Sequence, residues 1–328
     1  MNLHENTKLF GQAIEITAQQ KGILNIYVEK DYWVTLALHT IFHNEIGAEA
    51  VFKGGTALSK CFGMIERFSE DIDLVVLNKD GESGNQLKNK LKKITSVVAE
   101  KLEEVEVEGI THKMGMIRKI AYNYPKIFKG AFGQVRDIVV VESTWLGRYE
   151  PYHKESISSY IYEMMEAANQ LDVAAEYNML PFEVQVLDVK RTICEKIMSL
   201  VRFSYGENAM EDLSNKIRHT YDIHQLLEVE EIERFFQSEE FEKMLLIVGE
   251  DDVLSFKKDN SWLENHPKDA LIFDDTVKVW ESLKVTYNSN EFKNLVYGKL
   301  PEDKDVLATL IKVKERLNTF DWTVKVDR

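Results

Sequence analysis

The sequence has few cysteines, no long hydrophobic run and no excess of positive charge. Its two cysteines, Cys61 and Cys194, are far apart and lie in apolar segments of helical pattern, which indicates reduced thiols in a reducing compartment rather than a disulfide framework. No apolar run approaches the roughly 20 residues that span a bilayer, and the polar residues 1–8 do not resemble a signal peptide. We therefore expect a cytoplasmic protein with no membrane partner.

The charge of the chain is acidic, with a formal net charge of −14 at pH 7 and a sequence pI near 5.2. General binding to nucleic acid requires clustered lysine and arginine, so the charge disfavours a protein that coats nucleic acid and leaves only a local basic groove open. The chain has 328 residues, of which 44% are hydrophobic. This length and composition supply ample core for two domains or one large one.

Two short motifs lie close together near residue 60. The first is a glycine turn, Gly54-Gly55, between a short apolar segment and a short helical pattern; the second is a pair of acids, Asp71 and Asp73, at the head of the apolar run 74–77. Glycines let the backbone approach a ligand closely, and the start of a helix offers free N–H groups to an anion. Side chains two apart on a strand share a face, so the two carboxylates should lie side by side.

The combination of these motifs favours a site over ordinary structure. A Gly-Gly pair alone is commonly a turn, and an Asp-x-Asp pair alone is commonly a solvated strand end. Here the acids begin a strand that is apolar on both faces, where unpaired carboxylates are costly. A hard cation such as Mg²⁺ or Mn²⁺ would neutralise them. An anion site beside a metal site indicates nucleotide chemistry.

Residues 53–56 (Lys-Gly-Gly-Thr) and 67–74 (Arg-Phe-Ser-Glu-Asp-Ile-Asp-Leu) resemble two motifs of the AbiEii/AbiGii toxin family. This family belongs to the polymerase-β-like nucleotidyltransferases and is related to the MenT toxins. Residues 194–200, Cys-Glu-Lys-Ile-Met-Ser-Leu, resemble its third motif, in which the lysine, here Lys196, meets the nucleotide phosphates. Residues 217–227 resemble the fourth motif of the family. His219 stands where the motif commonly has an aspartate, and Asp222 occupies the position of the motif's functional acid. The resemblance covers about residues 28–227.

The resemblance implies a bilobed α+β fold and a set of site residues. Residues 1–185 would form the nucleotidyltransferase core, a mixed sheet with flanking helices, and residues 186–328 a mainly helical domain that carries Lys196 and Asp222. The implied catalytic residues are Asp71, Asp73, Lys196 and Asp222. The implied nucleotide-binding residues are Lys53, Gly54, Gly55, Thr56, Arg67, Ser69 and Lys196. Asp71 and Asp73 would bind the metal, and Glu142, on a predicted neighbouring strand, is the candidate third ligand; an acid that faces water at the strand end is its alternative.

The implied reaction is metal-dependent transfer of a nucleoside monophosphate from a nucleoside triphosphate to an acceptor hydroxyl, with release of pyrophosphate. The family implies a toxin of a type IV toxin–antitoxin or phage-defence (abortive infection) system. Its partner would be a DNA-binding antitoxin encoded nearby that forms no stable complex with it. The acceptor is left open between RNA, such as the 3′ end of tRNA, a protein hydroxyl and a small molecule. Two alternatives are a catalytically silent nucleotide-binding protein and a small-molecule transferase of the antibiotic-modifying kind.

Three other patterns have both a structural and a functional interpretation. His39 and His43 have the spacing of a helical zinc pair, but no third ligand is evident. Arg218 and Asp222 have the spacing of a surface salt bridge on a helix. A basic and aromatic stretch is typical either of a nucleic-acid groove or of strand exteriors. It comprises Lys113, Arg118, Lys119, Tyr122, Tyr124, Lys126, Phe128, Lys129 and Arg136.

Overall fold

The computed structural model describes residues 1–257 and 259–326, and the chain forms two compact units. The first unit consists of Met1–Trp145, Tyr152–Leu187 and Asn294–Gly298. The second consists of Leu146–Pro151, Asp188–Lys293 and the chain from Lys299 onward. Each unit is thus built from segments that are separated in the sequence.

The first unit contains a seven-stranded sheet. Its strands are β1 (Ala50–Lys53), β2 (Ile72–Val76), β3 (Glu103–Val105), β4 (Ile117–Asn123), β5 (Val139–Thr144), β6 (Tyr152–Ile157) and β7 (Phe182–Leu187). Their order is β3-β4-β5-β2-β1-β7-β6. The β1–β7 and β2–β5 pairs are parallel, and the other four pairs are antiparallel. The predicted mixed sheet is therefore confirmed, and β2 lies near its centre.

Six α-helices accompany this sheet. They are α1 (Thr7–Lys21), α2 (Asn25–Phe42), α3 (Gly54–Lys60), α4 (Gly84–Ala99), α5 (Tyr160–Ala167) and α6 (Leu171–Glu176), with 3₁₀ turns at Leu3–Glu5 and Glu45–Glu49. Helix α4 begins at a capping box, in which Ser83 and Gln86 satisfy each other's backbone N–H groups. Helix α2 is buried nearly all round, and its buried residues include three consecutive charged ones, Glu29, Lys30 and Asp31. Buried charges need partners, so we expect these three side chains of α2 to form polar contacts.

The second unit is helical. Its helices are α7 (Val189–Phe203), α8 (Ala209–Asn215), α9 (Ile217–Leu227), α10 (Glu230–Phe236), α11 (Glu239–Ser255), α12 (Leu271–Asp274), α13 (Thr276–Tyr287), α14 (Asn290–Lys293) and α15 (Asp303–Leu317), with 3₁₀ turns at Ser261–Glu264 and Pro267–Asp269. Helix α7 begins at an N-cap, since the Asp188 carboxylate accepts the Lys190 N–H at 2.7 Å, as the aspartate before this helical pattern indicates. A buried ion pair of 2.5 Å between Arg191 and Asp251 joins α7 to α11. Within residues 1–257 and 259–326, no helix is long and apolar enough to cross a membrane.

Three elements differ from what the sequence pattern indicates. Residues 105–108 have a strand-like pattern, but strand β3 occupies residues 103–105. Residues 229–247 have a helical pattern, but the chain turns at Ser238, whose side chain accepts the Glu240 N–H and starts α11. Strand β6 was missed. Its exposed and half-buried polar residues lack the apolar alternation by which strands are recognised.

Candidate active site

A row of four charged residues crosses the middle of the sheet. Lys53 on β1 is the register partner of Asp73 on β2, Asp73 is that of Glu142 on β5, and Glu142 is that of Lys119 on β4. Directly opposed residues of neighbouring strands share a face of the sheet, so the four side chains face the same way. The Lys119 ammonium donates to the Glu142 carboxylate at 2.8 Å. Two carboxylates therefore lie side by side between two lysines.

Asp73 is the centre of this charge cluster. Burial raises the pKa of its carboxyl group to about 7, and the neighbouring carboxylates of Glu142 and Asp71 add to the effect. Lys53 and Lys119 offset part of the rise. A carboxyl group that keeps its proton up to neutral pH lies in a strongly negative, poorly solvated environment. Such an environment favours binding of a cation.

Asp71 lies just before β2 and is less enclosed. Its side chain is 31% exposed, and one of its oxygens accepts from the guanidinium of Arg136 at 3.3 Å. The backbone carbonyl of Asp71 accepts the Thr56 hydroxyl at 2.6 Å, and the same hydroxyl lies 3.1 Å from Ser69 Oγ. These contacts fix the start of β2 against α3.

The glycine turn touches the acid strand directly. Gly54 has a φ of +83°, and a Cβ added there would lie 2.5 Å from Asp73 Oδ2. A Cβ added at Gly55 would lie 2.8 Å from Arg67 Nη2 and 3.0 Å from Ser69 Oγ. Both glycines therefore leave room for side chains of the second motif, and Gly54 also adopts a conformation that favours glycine. The two sequence motifs form one structural site.

The segment 67–69 is supported by residues 294–298, which are distant from it in the sequence. Arg67 forms an isolated antiparallel bridge with Val296, and the Phe68 N–H donates to the Leu295 carbonyl at 2.7 Å. The Tyr297 N–H donates to the Glu66 carbonyl at 2.9 Å. Segment 294–298 belongs to the first unit, and it holds Arg67 and Ser69 at the glycine turn.

Lys196 and Asp222 form a pair inside the second unit. Lys196 on α7 donates to Asp222 on α9 at 2.6 Å, and the two side chains are 6% and 0% exposed. His219 Nδ1 lies 3.4 Å from the Lys196 ammonium. The Asp222 side chain is 0% exposed and accepts from Lys196, so Asp222 is a buried acid and not a residue of the surface. The third and fourth sequence motifs therefore meet.

A comparison with known families matches residues 37–306 to the nucleotidyl transferase AbiEii toxin family of type IV toxin–antitoxin systems. The match covers most of the chain. The protein belongs to the AbiEii family. Membership makes it a nucleotidyltransferase of the toxin class, with a nucleoside triphosphate as substrate and an antitoxin as partner. The resemblance inferred from the four motifs is confirmed.

The fold of this AbiEii-family chain is also that of a solved toxin. MenT4, a nucleotidyltransferase toxin from Mycobacterium tuberculosis H37Rv, superposes with a TM-score of 0.52, covering 94% of this chain and 90% of that one. At 16% sequence identity the likeness is one of fold. A comparison with curated proteins finds no match. The α+β fold class is thus supported by the sheet itself and by this structure.

In this AbiEii-family site, two carboxylates and not three are placed to bind a divalent metal. In residues 1–257 and 259–326, no group of three or more histidine, cysteine, aspartate or glutamate side chains is arranged as a metal site. Glu142 has the position of a third carboxylate, but one of its oxygens accepts from Lys119. The adjacent Asp71 and Asp73 suit Mg²⁺, which binds through one or two carboxylates and completes its shell with phosphate oxygens and water.

Most of the other candidate residues of the AbiEii-family chain pack or form ion pairs away from the acid pair. The rings of His39 and His43 stack at 3.8 Å, and burial lowers the pKa of His39 to about 4. In the basic and aromatic stretch, Tyr122 and Tyr124 are buried and so have no face for stacking on a base. Lys113 is paired with Glu104 at 2.9 Å. Lys119 and Arg136, predicted only as members of that stretch, instead face the acids of the site.

Substitution of Gly54 tests whether its contact with Asp73 matters. We expect Gly54→Ala to lower nucleotidyl transfer by about 100-fold or more, because the new methyl group would displace the Asp73 carboxylate. Gly81→Ala is the matched control, since Gly81 has a φ of +84° and nothing within 4 Å of an added Cβ. Both variants carry the same backbone strain, and only one has the clash. Equal loss of transfer in the two variants, measured per folded protein, would show that the contact is unimportant.

Proposed function

We propose that the protein transfers a nucleoside monophosphate from a nucleoside triphosphate to an acceptor hydroxyl, with release of pyrophosphate and with Mg²⁺ or Mn²⁺ bound at Asp71 and Asp73. The observation that supports this best is the contact between the glycine turn and the raised-pKa carboxyl group of Asp73. A turn that admits phosphate and a pair of acids that attracts a cation are the two parts that phosphoryl chemistry requires. Here they touch.

The metal, when bound by Asp71 and Asp73, would neutralise charge that develops on the phosphate oxygens. Glu142 would act from beside Asp73 by keeping the site negative, as its effect on the Asp73 pKa suggests. Binding of a cation favours the ionised form of Asp73, so its proton would leave as the cation binds.

The residues around the turn would hold the substrate phosphates. Gly54 and Gly55 let the backbone approach the phosphates, and Lys53 offers a positive charge at the edge of the acid pair. Thr56, Arg67 and Ser69 position the turn and the acids, since Thr56 bonds to the Asp71 carbonyl and Arg67 and Ser69 lie against Gly55. Transfer of this kind depends mainly on positioning and on electrostatic stabilisation.

We assign Lys196 and Asp222 to the same reaction on the basis of the family motifs. Their 2.6 Å bond orients the Lys196 side chain inside the second unit, where both side chains are buried. Lys196 would contact the nucleotide phosphates. Asp222 would either orient the acceptor hydroxyl or hold Lys196 in place for the nucleotide.

For the acceptor we propose RNA, with the 3′ end of tRNA as the first candidate, in an enzyme that arrests growth within a phage-defence or toxin–antitoxin system. The support is the family, whose members are toxins of type IV systems. The partner would be a DNA-binding antitoxin encoded nearby that acts without a stable complex. Because the chain is acidic overall, RNA binding should depend on a few local cations, and its affinity should then fall with salt by a shallow slope set by the few phosphates contacted.

Transfer of label from nucleoside triphosphates tests the reaction. Wild type, Asp71→Ala and the control Asp80→Ala are each incubated with one α-labelled triphosphate at a time, Mg²⁺ and cell extract. Asp80 is an exposed acid in the loop after β2. We expect transfer by wild type and control, and a loss of about 100- to 1,000-fold or more in Asp71→Ala. Ribonuclease or protease treatment of the labelled product then identifies the acceptor class. Transfer that persists in Asp71→Ala would contradict the proposed mechanism.

A further inference from the structure

The connection between β4 and β5, residues 124–138, is anchored along helix α2. The Glu29 carboxylate accepts the N–H groups of Ile127 at 2.7 Å and Phe128 at 3.1 Å. The Tyr27 hydroxyl donates to the Phe132 carbonyl at 3.2 Å. The Lys30 ammonium donates to the Arg136 carbonyl. All these contacts are made to the backbone of the connection, which leaves its side chains unconstrained by them.

Two of the three anchors are acidic or basic side chains that are buried. Glu29 is 1% exposed and Lys30 is 0% exposed. A buried charge that loses its partner is costly, so these contacts resist opening. The backbone at Arg136 is therefore held by Lys30, while the Arg136 side chain is 41% exposed. Arg136 therefore combines an anchored backbone with a partly exposed guanidinium.

The guanidinium of Arg136 uses a carboxylate that the metal would also use. It donates to Asp71 Oδ1 at 3.3 Å. Glu142 and Asp73 face lysines that are held on strands, Lys119 and Lys53, whereas Asp71 faces a cation on a connection. A divalent cation bound at Asp71 would repel the guanidinium and weaken its bond to this carboxylate. The guanidinium would then be released beside the phosphates that share the metal.

We propose that Arg136 is a nucleotide-binding residue that exchanges partners. In the absence of substrate it neutralises Asp71, and with metal and nucleotide bound it moves to the triphosphate. Arginine suits the second task, since its planar fork of donors matches phosphate oxygens in a bidentate manner. The anchored backbone limits the exchange to side-chain rotation. This inference rests on the function proposed above.

The test uses opposite effects of one substitution on two ligands. Arg136→Gln removes a competitor for Asp71, and we expect it to bind Mn²⁺ alone about two- to five-fold more tightly, as loss of a partly exposed ion pair allows. The same variant should bind a non-hydrolysable α,β-methylene triphosphate with Mn²⁺ about 10-fold more weakly, because a charged hydrogen-bond donor to phosphate is lost. Mn²⁺ binding is measured by electron paramagnetic resonance and triphosphate binding by calorimetry.

Two further variants make the result specific. Lys129→Gln is the matched control, because Lys129 is an exposed lysine of the same connection and its loss changes the net charge equally. It should leave both affinities within about two-fold of wild type. Arg136→Lys keeps the charge without the fork, so it should restore wild-type Mn²⁺ binding and only part of the triphosphate affinity.

The outcomes separate this inference from the proposed function. If wild type binds the triphosphate but Arg136→Gln shows unchanged affinity for both ligands, the exchange is overturned and the proposed function stands. If both affinities fall together in Arg136→Gln, Arg136 supports the site structurally and the exchange is also overturned. If wild type binds neither Mn²⁺ nor triphosphate, the proposed function itself fails. Tighter Mn²⁺ binding with weaker triphosphate binding supports the exchange.

Discussion

Asp73→Asn is expected to abolish nucleotidyl transfer and at the same time to stabilise the fold. The side chain keeps its size, so the packing against Gly54 is preserved. Transfer should fall by about 100- to 1,000-fold or more, since the amide cannot replace a charged metal ligand. Stability should rise because the wild-type carboxylate ionises in a place where burial, Glu142 and Asp71 all oppose its charge.

The stabilisation depends on pH in a defined direction. The pKa of Asp73 is about 7 in the folded protein and 3.8 in its reference state, so the folded state binds the proton more tightly. Wild-type stability is therefore lost progressively as pH rises from about 4 to 7, and the neutral amide of the variant escapes this loss. We expect a free energy of unfolding about 1–2 kcal/mol higher than wild type at pH 8.

Urea unfolding at pH 5 and pH 8 measures this difference. It should be largest at pH 8 and about a third as large at pH 5, because the loss begins near pH 4. Asp80→Asn, in the exposed loop after β2, should match wild type at both values. Wild-type transfer should also decline below pH 7 as Asp73 takes up its proton, and more metal should partly restore it. A pH-independent difference in stability would mean that ionisation of Asp73 is not its cause.

Lys60→Met is expected to be the most destabilising of the substitutions considered. Lys60, the last residue of α3, donates to Asp31 of α2 at 2.6 Å, and both side chains are at most 2% exposed. Lys60 also donates to the Ser158 carbonyl, and Asp31 accepts the Tyr160 N–H at 2.8 Å. Burial already raises the pKa of Asp31, an effect that Lys60 partly opposes. Without Lys60 the carboxylate would be buried and uncompensated, at a cost of about 3–5 kcal/mol.

The double variant Asp31→Asn with Lys60→Met distinguishes a lost charge partner from lost packing. If the uncompensated charge is the cause, the second substitution should recover about half or more of the loss, since breaking a buried pair costs more than removing it. Lys88→Met, at an exposed lysine of α4, controls for the change of side chain. Thermal and urea unfolding give the values. A double variant less stable than Lys60→Met alone would assign the loss to packing and backbone contacts.

The local features of the site were predictable from sequence, and the non-local ones were not. The glycine turn, the acid pair and the Asp188 cap are each set by residues within a few positions of one another, so their pattern can be recognised directly. Lys119 faces Glu142 only because β4 pairs with β5 in a particular register, and no short pattern encodes that register. Arg136 reaches Asp71 through a connection whose shape depends on buried charges of α2. The sequence showed those charges, but not that they would be buried.

The support of Arg67 by segment 294–298 determines when the site can be completed. During synthesis the turn and the acid strand leave the ribosome first, whereas Leu295 and Val296, which bond to Phe68 and Arg67, are made only after all the proposed catalytic residues. A nascent or prematurely terminated chain can therefore carry every catalytic residue and still lack the backbone that holds the second motif in place. For a toxin, this dependence means that a chain truncated before residue 294 lacks part of the support for its active site.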